Sequence, residues 1–273
     1  MSVYSNIYKT FSGHGIGKNP LVVKVMHAYM GLALRNPILV NNSFYMYLDS
    51  QYGNTLMLDK TYEPDGTAAI DSAIKDGWIA LDLGANIGYF TLLMAQKCRK
   101  VYSFEPSDSA FGLLQKNVKL NKLQDKVTLE NKAVGSASSN MKLYHEPLGS
   151  GGNSFVNIAG GDSEDVECVS LDEYFKGKEK PDIIKMDVEG WEEDAILGGK
   201  EVFKNAQFIL FENNVTLLVA RHKKGTEVMD MLKGFGFEIK KIDGGNMNKQ
   251  DREKYSSYLS LEGNYYAHKA RQV

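Results

Sequence analysis

The chain has almost no cysteine, no excess charge of either sign and no long apolar run. Its two cysteines, Cys98 and Cys168, allow at most one disulfide and have no metal-ligand spacing. A disulfide scaffold or zinc module is therefore not expected, and a reducing cytoplasm is. The 32 Lys plus Arg offset 34 Asp plus Glu to a net charge of −2, which argues against a nucleic-acid-binding surface. No segment reaches the roughly 18 consecutive apolar residues of a membrane span. The most apolar stretch, residues 21–34, is broken by Lys24 and His27, and it follows a polar opening that is unlike a signal peptide. Repeats and low-complexity tracts are also missing. What remains is 273 residues with 43% apolar content, enough for a large core.

The first 75 residues read differently from the rest. A helix is expected over 21–35, ended by Asn36-Pro37, and a hairpin between the apolar runs 44–48 and 55–58 across Asp49–Asn54. A further helix is expected over 67–75. Residues 1–75 thus form an N-terminal extension, suited to a lid or a homo-oligomer contact. Within it Gly13-His14-Gly15-Ile16-Gly17-Lys18-Asn19 fails as a phosphate loop, because its glycine spacing is short and no strand precedes it. From residue 76 to 273 strands alternate with helices. Strands are predicted at 78–82, 100–104, 127–131, 182–186, 207–211, 236–241 and 263–268, and helices at 87–97, 108–121, 191–198 and 225–234. This alternation predicts an α/β fold, with a mostly parallel sheet covered on both faces. An insertion at 135–170 breaks the rhythm with two short strands and a glycine-rich loop, and Ser170-Leu171-Asp172-Glu173 fits a capping box.

The first core strand runs into Gly84-Ala85-Asn86-Ile87-Gly88, where ligands of open α/β sheets bind. A dinucleotide fingerprint needs G-x-G-x-x-G; here Asn86 and Tyr89 stand at its second and third glycines. No Lys or Arg lies between Asp82 and Gln96 to offset phosphate charge. Glu105 ends the next strand, at the spacing of a ribose-binding acid. Asp82 and Glu105 would surround a ligand with a ribose, no phosphate and a positive charge, which describes S-adenosylmethionine.

Leu81-Asp82-Leu83-Gly84-Ala85-Asn86-Ile87-Gly88-Tyr89 resembles motif I of the class I S-adenosylmethionine-dependent methyltransferases, and Phe104-Glu105-Pro106 resembles their second motif. Together with Asp187-Val188-Glu189-Gly190, Tyr62-Glu63-Pro64 and Phe211-Glu212, the set is similar to the FkbM family, whose members are mostly O-methyltransferases. The resemblance implies a Rossmann-like seven-stranded sheet with an antiparallel last strand. It implies a cofactor shell of Glu63, Asp82, Gly84, Ala85, Asn86, Gly88, Tyr89, Glu105, Pro106 and Asp187, with Asn131 and Ala133 bordering the adenine.

An alcohol acceptor must lose its proton to a side chain or through a metal. Asp187 and Glu189 are two apart on an extended chain and share a face, so both are catalytic candidates, alongside the loop residue His145. As an alternative, Asp187 contacts the cofactor or caps a helix, Glu189 serves only the helix dipole, and His145 is a surface residue. Asp187, Glu189 and Glu212 would also suit Mg2+. Adenine N6 methylases carry an Asn/Asp-Pro-Pro-aromatic segment where this chain has Asp187-Val188-Glu189-Gly190, which disfavours DNA. The expected acceptor is a hydroxyl of a small molecule or glycan; the alternatives are a nitrogen, a carboxyl, or a non-catalytic cofactor-binding protein.

Overall fold

The computed structural model describes residues 34–145, 152–157, 162–242 and 260–269. The helix expected over 21–35 lies outside them except for Leu34 and Arg35, which form a turn. The phosphate-loop-like segment at 13–19 also lies outside them.

The extension departs from the expected hairpin. The strands that pair are β1 (Ile38–Val40) and β2 (Phe44–Met46), antiparallel around Asn41 and Asn42, both at positive φ. Residues Ser50–Asp59 are a helix, α1. Asp49 had read as a turn residue. Its Oδ1 instead accepts the Tyr52 N–H at 2.9 Å, which is N-cap geometry. The buried Tyr52, Leu56 and Met57 fall four and five apart, on one face of a helix. Helix α2 (Pro64–Ala73) follows, with Pro64 in the first turn, where its missing N–H costs nothing.

The main body alternates as expected: β3 (Ile79–Leu83), α3 (Tyr89–Ala95), β4 (Lys100–Phe104), α4 (Asp108–Leu120) and β5 (Val127–Glu130). β6 (Ala133–Val134), just before the insertion, joins the insertion's β7 (Ser139–Tyr144) and β8 (Ser163–Val169) in a separate three-stranded sheet of order β6-β8-β7. A short helix α5 (Leu171–Tyr174) then leads to β9 (Ile183–Met186), α6 (Glu192–Gly198), α7 (Lys200–Asn205), β10 (Phe208–Asn213), α8 (Val215–Ala220), α9 (Glu227–Gly234), β11 (Phe237–Lys241) and β12 (Gly263–Lys269). The capping box before α5 does not form, because the Ser170 hydroxyl donates to the Gly198 carbonyl at 2.8 Å.

The central sheet has the order β11-β12-β10-β9-β3-β4-β5. Its last strand, β12, is antiparallel to both neighbours and the others are parallel, a Rossmann-like arrangement. Alternate residues of a strand face opposite sides, which divides the core in two. Ala80 and Ile183 join α1 to α4 on one face, while Leu81, Leu83, Ile184 and Met186 join α5, α6, α7 and α9 on the other. No described helix is long and apolar enough to cross a membrane.

Candidate active site

The carboxyl ends of β4, β3, β9 and β10 open onto one solvent-accessible cleft, the usual position of a ligand site in an open α/β sheet. Its floor is the turn after β3. Gly84, Asn86 and Gly88 all have positive φ (74°, 48° and 97°), and the Gly84 and Ala85 N–H groups both donate to the Phe104 carbonyl. Gly84 is required by proximity, since a Cβ there would lie 1.8 Å from the Asp187 carbonyl oxygen. Gly88 serves packing instead, as its Cβ would meet Leu114 of α4 at 2.6 Å.

Glu105, 6% exposed, accepts the Asn86 N–H on Oε2 at 2.8 Å and the Ser107 N–H on Oε1 at 2.9 Å. Burial pushes its carboxyl up to about 7, against the opposing pull of those two bonds. Across the turn, Asp187, Glu189 and Glu212 bring carboxylate oxygens within 4.8 Å of one another, a grouping that could hold a metal ion. Lys185 donates to Asp187 Oδ2 at 2.9 Å and lies over the Phe90 ring at 5.2 Å. Burial alone would lower the lysine, but Asp187, Asp82 and Glu63 more than reverse this and hold it charged. Asp187 Oδ1 is buried with no partner among the described residues. Glu189 and Glu212 are both raised well above the usual carboxylate range, first by burial and then by Asp187. Tyr52 and Tyr62, ring centroids 4.9 Å apart, complete this side. Burial raises both phenols, so they stay neutral donors.

Of the residues singled out in the sequence, Glu63, Gly84, Ala85, Asn86, Tyr89, Glu105, Pro106, Ala133, Asp187, Glu189 and Glu212 line the cleft. Asp82, Gly88, Asn131 and His145 do not. Asp82 is fully buried beneath the turn, bonded by the Thr91 hydroxyl at 2.6 Å and paired across the ladder with Lys185. Asn131 turns its amide inward to the Glu105 and Pro106 carbonyls. His145 follows β7, its Nε2 3.6 Å from Glu164 on the neighbouring strand, so it is held at the insertion's edge. Sequence reasoning missed Tyr62, Asn264, Asn153 and Phe155 as cleft residues. Glu63 and Glu189, at φ 41° and 50°, are in a region costly for a residue with a side chain and common where sites store strain.

Residues 82–239 match the methyltransferase FkbM domain, more than half of the chain. The chain belongs to the FkbM methyltransferase family. Among curated relatives, the hexuronic acid methyltransferase AglP of Haloferax volcanii is 26% identical over 76% of this chain and 90% of its own length. The methyltransferase sdnD of Sordaria araneosa is 28% identical over 44% of this chain and 60% of its own. Among solved structures, the methyltransferase FkbM of Methylobacillus flagellatus is similar at 14% identity with a TM-score of 0.47, over 71% of this chain and 44% of that one.

Proposed function

We propose that this FkbM-family chain transfers a methyl group from S-adenosylmethionine to a hydroxyl of a small molecule or glycan. One observation carries the reading. Glu105 and the cluster of Asp187, Glu189 and Glu212 face a single cleft on either side of the glycine turn, and the lysines lining that cleft are already committed. Lys185 holds Asp187 and Lys132 holds Glu167, 2.7 Å away. A phosphate-rich dinucleotide would find no free cation there among the described residues. A phosphate-free nucleoside with a positive sulfur meets carboxylates instead.

S-adenosylmethionine supplies a methyl carbon on a cationic sulfur, which departs as a neutral thioether. The chain's own residues bind, align and deprotonate. Both Glu105 oxygens are fixed by backbone N–H groups and keep further lone pairs for a ribose diol. The Lys185 ammonium fixes Asp187, leaving Oδ1 to accept an acceptor hydroxyl. Glu189 and Glu212 bind protons more tightly than ordinary carboxylates, so once ionised they are stronger bases for an alcohol proton. The phenols of Tyr52 and Tyr62 supply hydrogen bonds to an oxygen-rich acceptor.

The printed name of AglP, a hexuronic acid methyltransferase, supports a sugar acceptor and keeps a carboxyl acceptor as the second reading. A carboxylate nucleophile needs no base and would leave the basic groups gathered in the cleft without a task, so the hydroxyl is preferred. The test is to incubate the protein with labelled methyl donor and matched neutral and uronic acid glycosides, with and without magnesium, and treat the product with mild alkali. An ether keeps its label, as this reading expects. Label released as methanol would identify an ester and overturn it.

A further inference from the structure

Resting on the cofactor reading above, we infer that the inserted sheet supplies the adenine-binding wall, with Phe155 as the ring that meets the base. If the ribose lies on Glu105 at the tip of β4 and the methyl end lies between Gly84 and Asp187, the base must extend the other way, past the tip of β5. The cleft there is lined by Pro106, Lys132, Ala133 and Val134 from the core and by Leu143, Asn153 and Phe155 from the insertion. Asn131 does not line this cleft, and its NH2 donates to the Glu105 and Pro106 carbonyls.

Phe155 is fixed before any ligand arrives. Ser154 pairs with Tyr144 through two backbone hydrogen bonds, Tyr144 N–H to Ser154 carbonyl at 2.9 Å and the reverse at 3.1 Å. Its hydroxyl donates to the Glu189 carbonyl at 2.8 Å and accepts the Val156 N–H. The insertion is thereby tied to the loop that carries the acids. The Phe155 ring rests on Trp191, centroids 5.3 Å apart, and the Arg221 guanidinium lies 3.8 Å from the Trp191 ring. Phe155 itself stays half-buried on the cleft wall. A part-exposed aromatic ring held rigidly against a second ring is a surface on which a flat base can stack, and the ordering entropy is already met by the fold.

The test is calorimetric titration of the full chain with S-adenosylhomocysteine and, separately, with adenosine. Phe155→Ala is expected to lose affinity about tenfold or more, by the same factor for both ligands, because the lost contact is to the base. Phe155→Trp should restore binding. In a Trp78→Phe background, where Trp191 is the remaining tryptophan, its emission should shift on adding adenosine. An unchanged affinity in Phe155→Ala while the wild type binds would overturn this inference alone. A loss confined to S-adenosylhomocysteine would also overturn it, by placing Phe155 at the amino-acid end. Failure of the wild type to bind either ligand would overturn the cofactor reading with it. Ser154→Ala, which keeps the Phe155 side chain but cuts the tie to Glu189 that fixes its position, checks the result should Phe155→Ala not fold; the loosened ring is expected to weaken adenosine binding, and no effect would count against the wall.

Discussion

At the scale of single residues, the site is a set of acids given different environments. Glu105 is held by two backbone N–H groups, Asp187 by a lysine, and Glu189 and Glu212 mainly by burial beside like charges. The pattern assigns separate roles, and each can be tested by one change. Glu105→Ala is expected to weaken S-adenosylhomocysteine binding by about 1–3 kcal/mol, the worth of hydrogen bonds to a charged acceptor, as read by calorimetry on a variant with unchanged circular dichroism. Asp187→Asn keeps shape and the approach of Lys185 but loses basicity. It is expected to lower kcat by at least about tenfold, within the usual contribution of acid–base groups, while cofactor affinity changes little. An equal loss in both would move Asp187 to the cofactor shell. Asp82 shows where residue-level reading of the sequence misleads: an acid at the end of a strand in front of a glycine turn looks like a ligand-binding group. Here its side chain shares a face with Ala80 and is buried under α3.

At the scale of elements, two tight loops carry most of the proposed site and depend on each other. The turn after β3 and the loop after β9 touch where Gly84 meets the Asp187 carbonyl, so neither can move alone. Gly84→Ala forces a side chain into a left-handed backbone, at about 1–2 kcal/mol, and into contact with that carbonyl. It is expected to lower the urea midpoint and to abolish cofactor binding together. The loop after β9 is also anchored by Glu192 of α6, which is buried and accepts the Val188 and Gly190 N–H groups on Oε1 while its Oε2 has no partner among the described residues. Burial pushes this carboxyl up to about 7, against roughly 4.3 in an unfolded chain. The folded state therefore binds this proton more tightly, and the group's contribution to stability is full below about 4.3 and is lost as pH rises through about 7. Glu192→Gln keeps the accepting oxygen and removes the charge. Its Tm is expected to exceed the wild type's at pH 8 and to lose that advantage at pH 4.5, as followed by differential scanning calorimetry. The extension was the element least legible in the sequence. Asp49 and the residues after it suit a hairpin turn and a helix N-cap equally, and the pattern of α1 becomes helical only once Tyr52, Leu56 and Met57 are seen to share a face.

At the scale of the molecule, the core sheet was legible because each strand is a short apolar run closed by a polar or glycine residue, and the βα rhythm admits few topologies. The cofactor end of the cleft was legible for the same reason, since Gly84, Asn86 and Glu105 follow their strands by fixed short steps. The other walls were not. Tyr62, Asn264 and Phe155 reach the cleft from the extension, the antiparallel last strand and the insertion, through chain separations that no local spacing encodes. Lys185 lies inside an apolar strand, and its place among Asp82, Asp187 and Glu63 depends on three elements meeting. What unites these parts is a single cleft in which, on the proposed function, the nucleoside would sit on Glu105 and the reacting sulfur would face the acids. The most direct measurement is a crystal structure of the protein with S-adenosylhomocysteine. The account predicts both ribose hydroxyls within hydrogen-bond distance of Glu105 and the sulfur turned towards Asp187, Glu189 and Glu212. A ribose bound elsewhere, or a sulfur facing away from those three carboxylates, would contradict it.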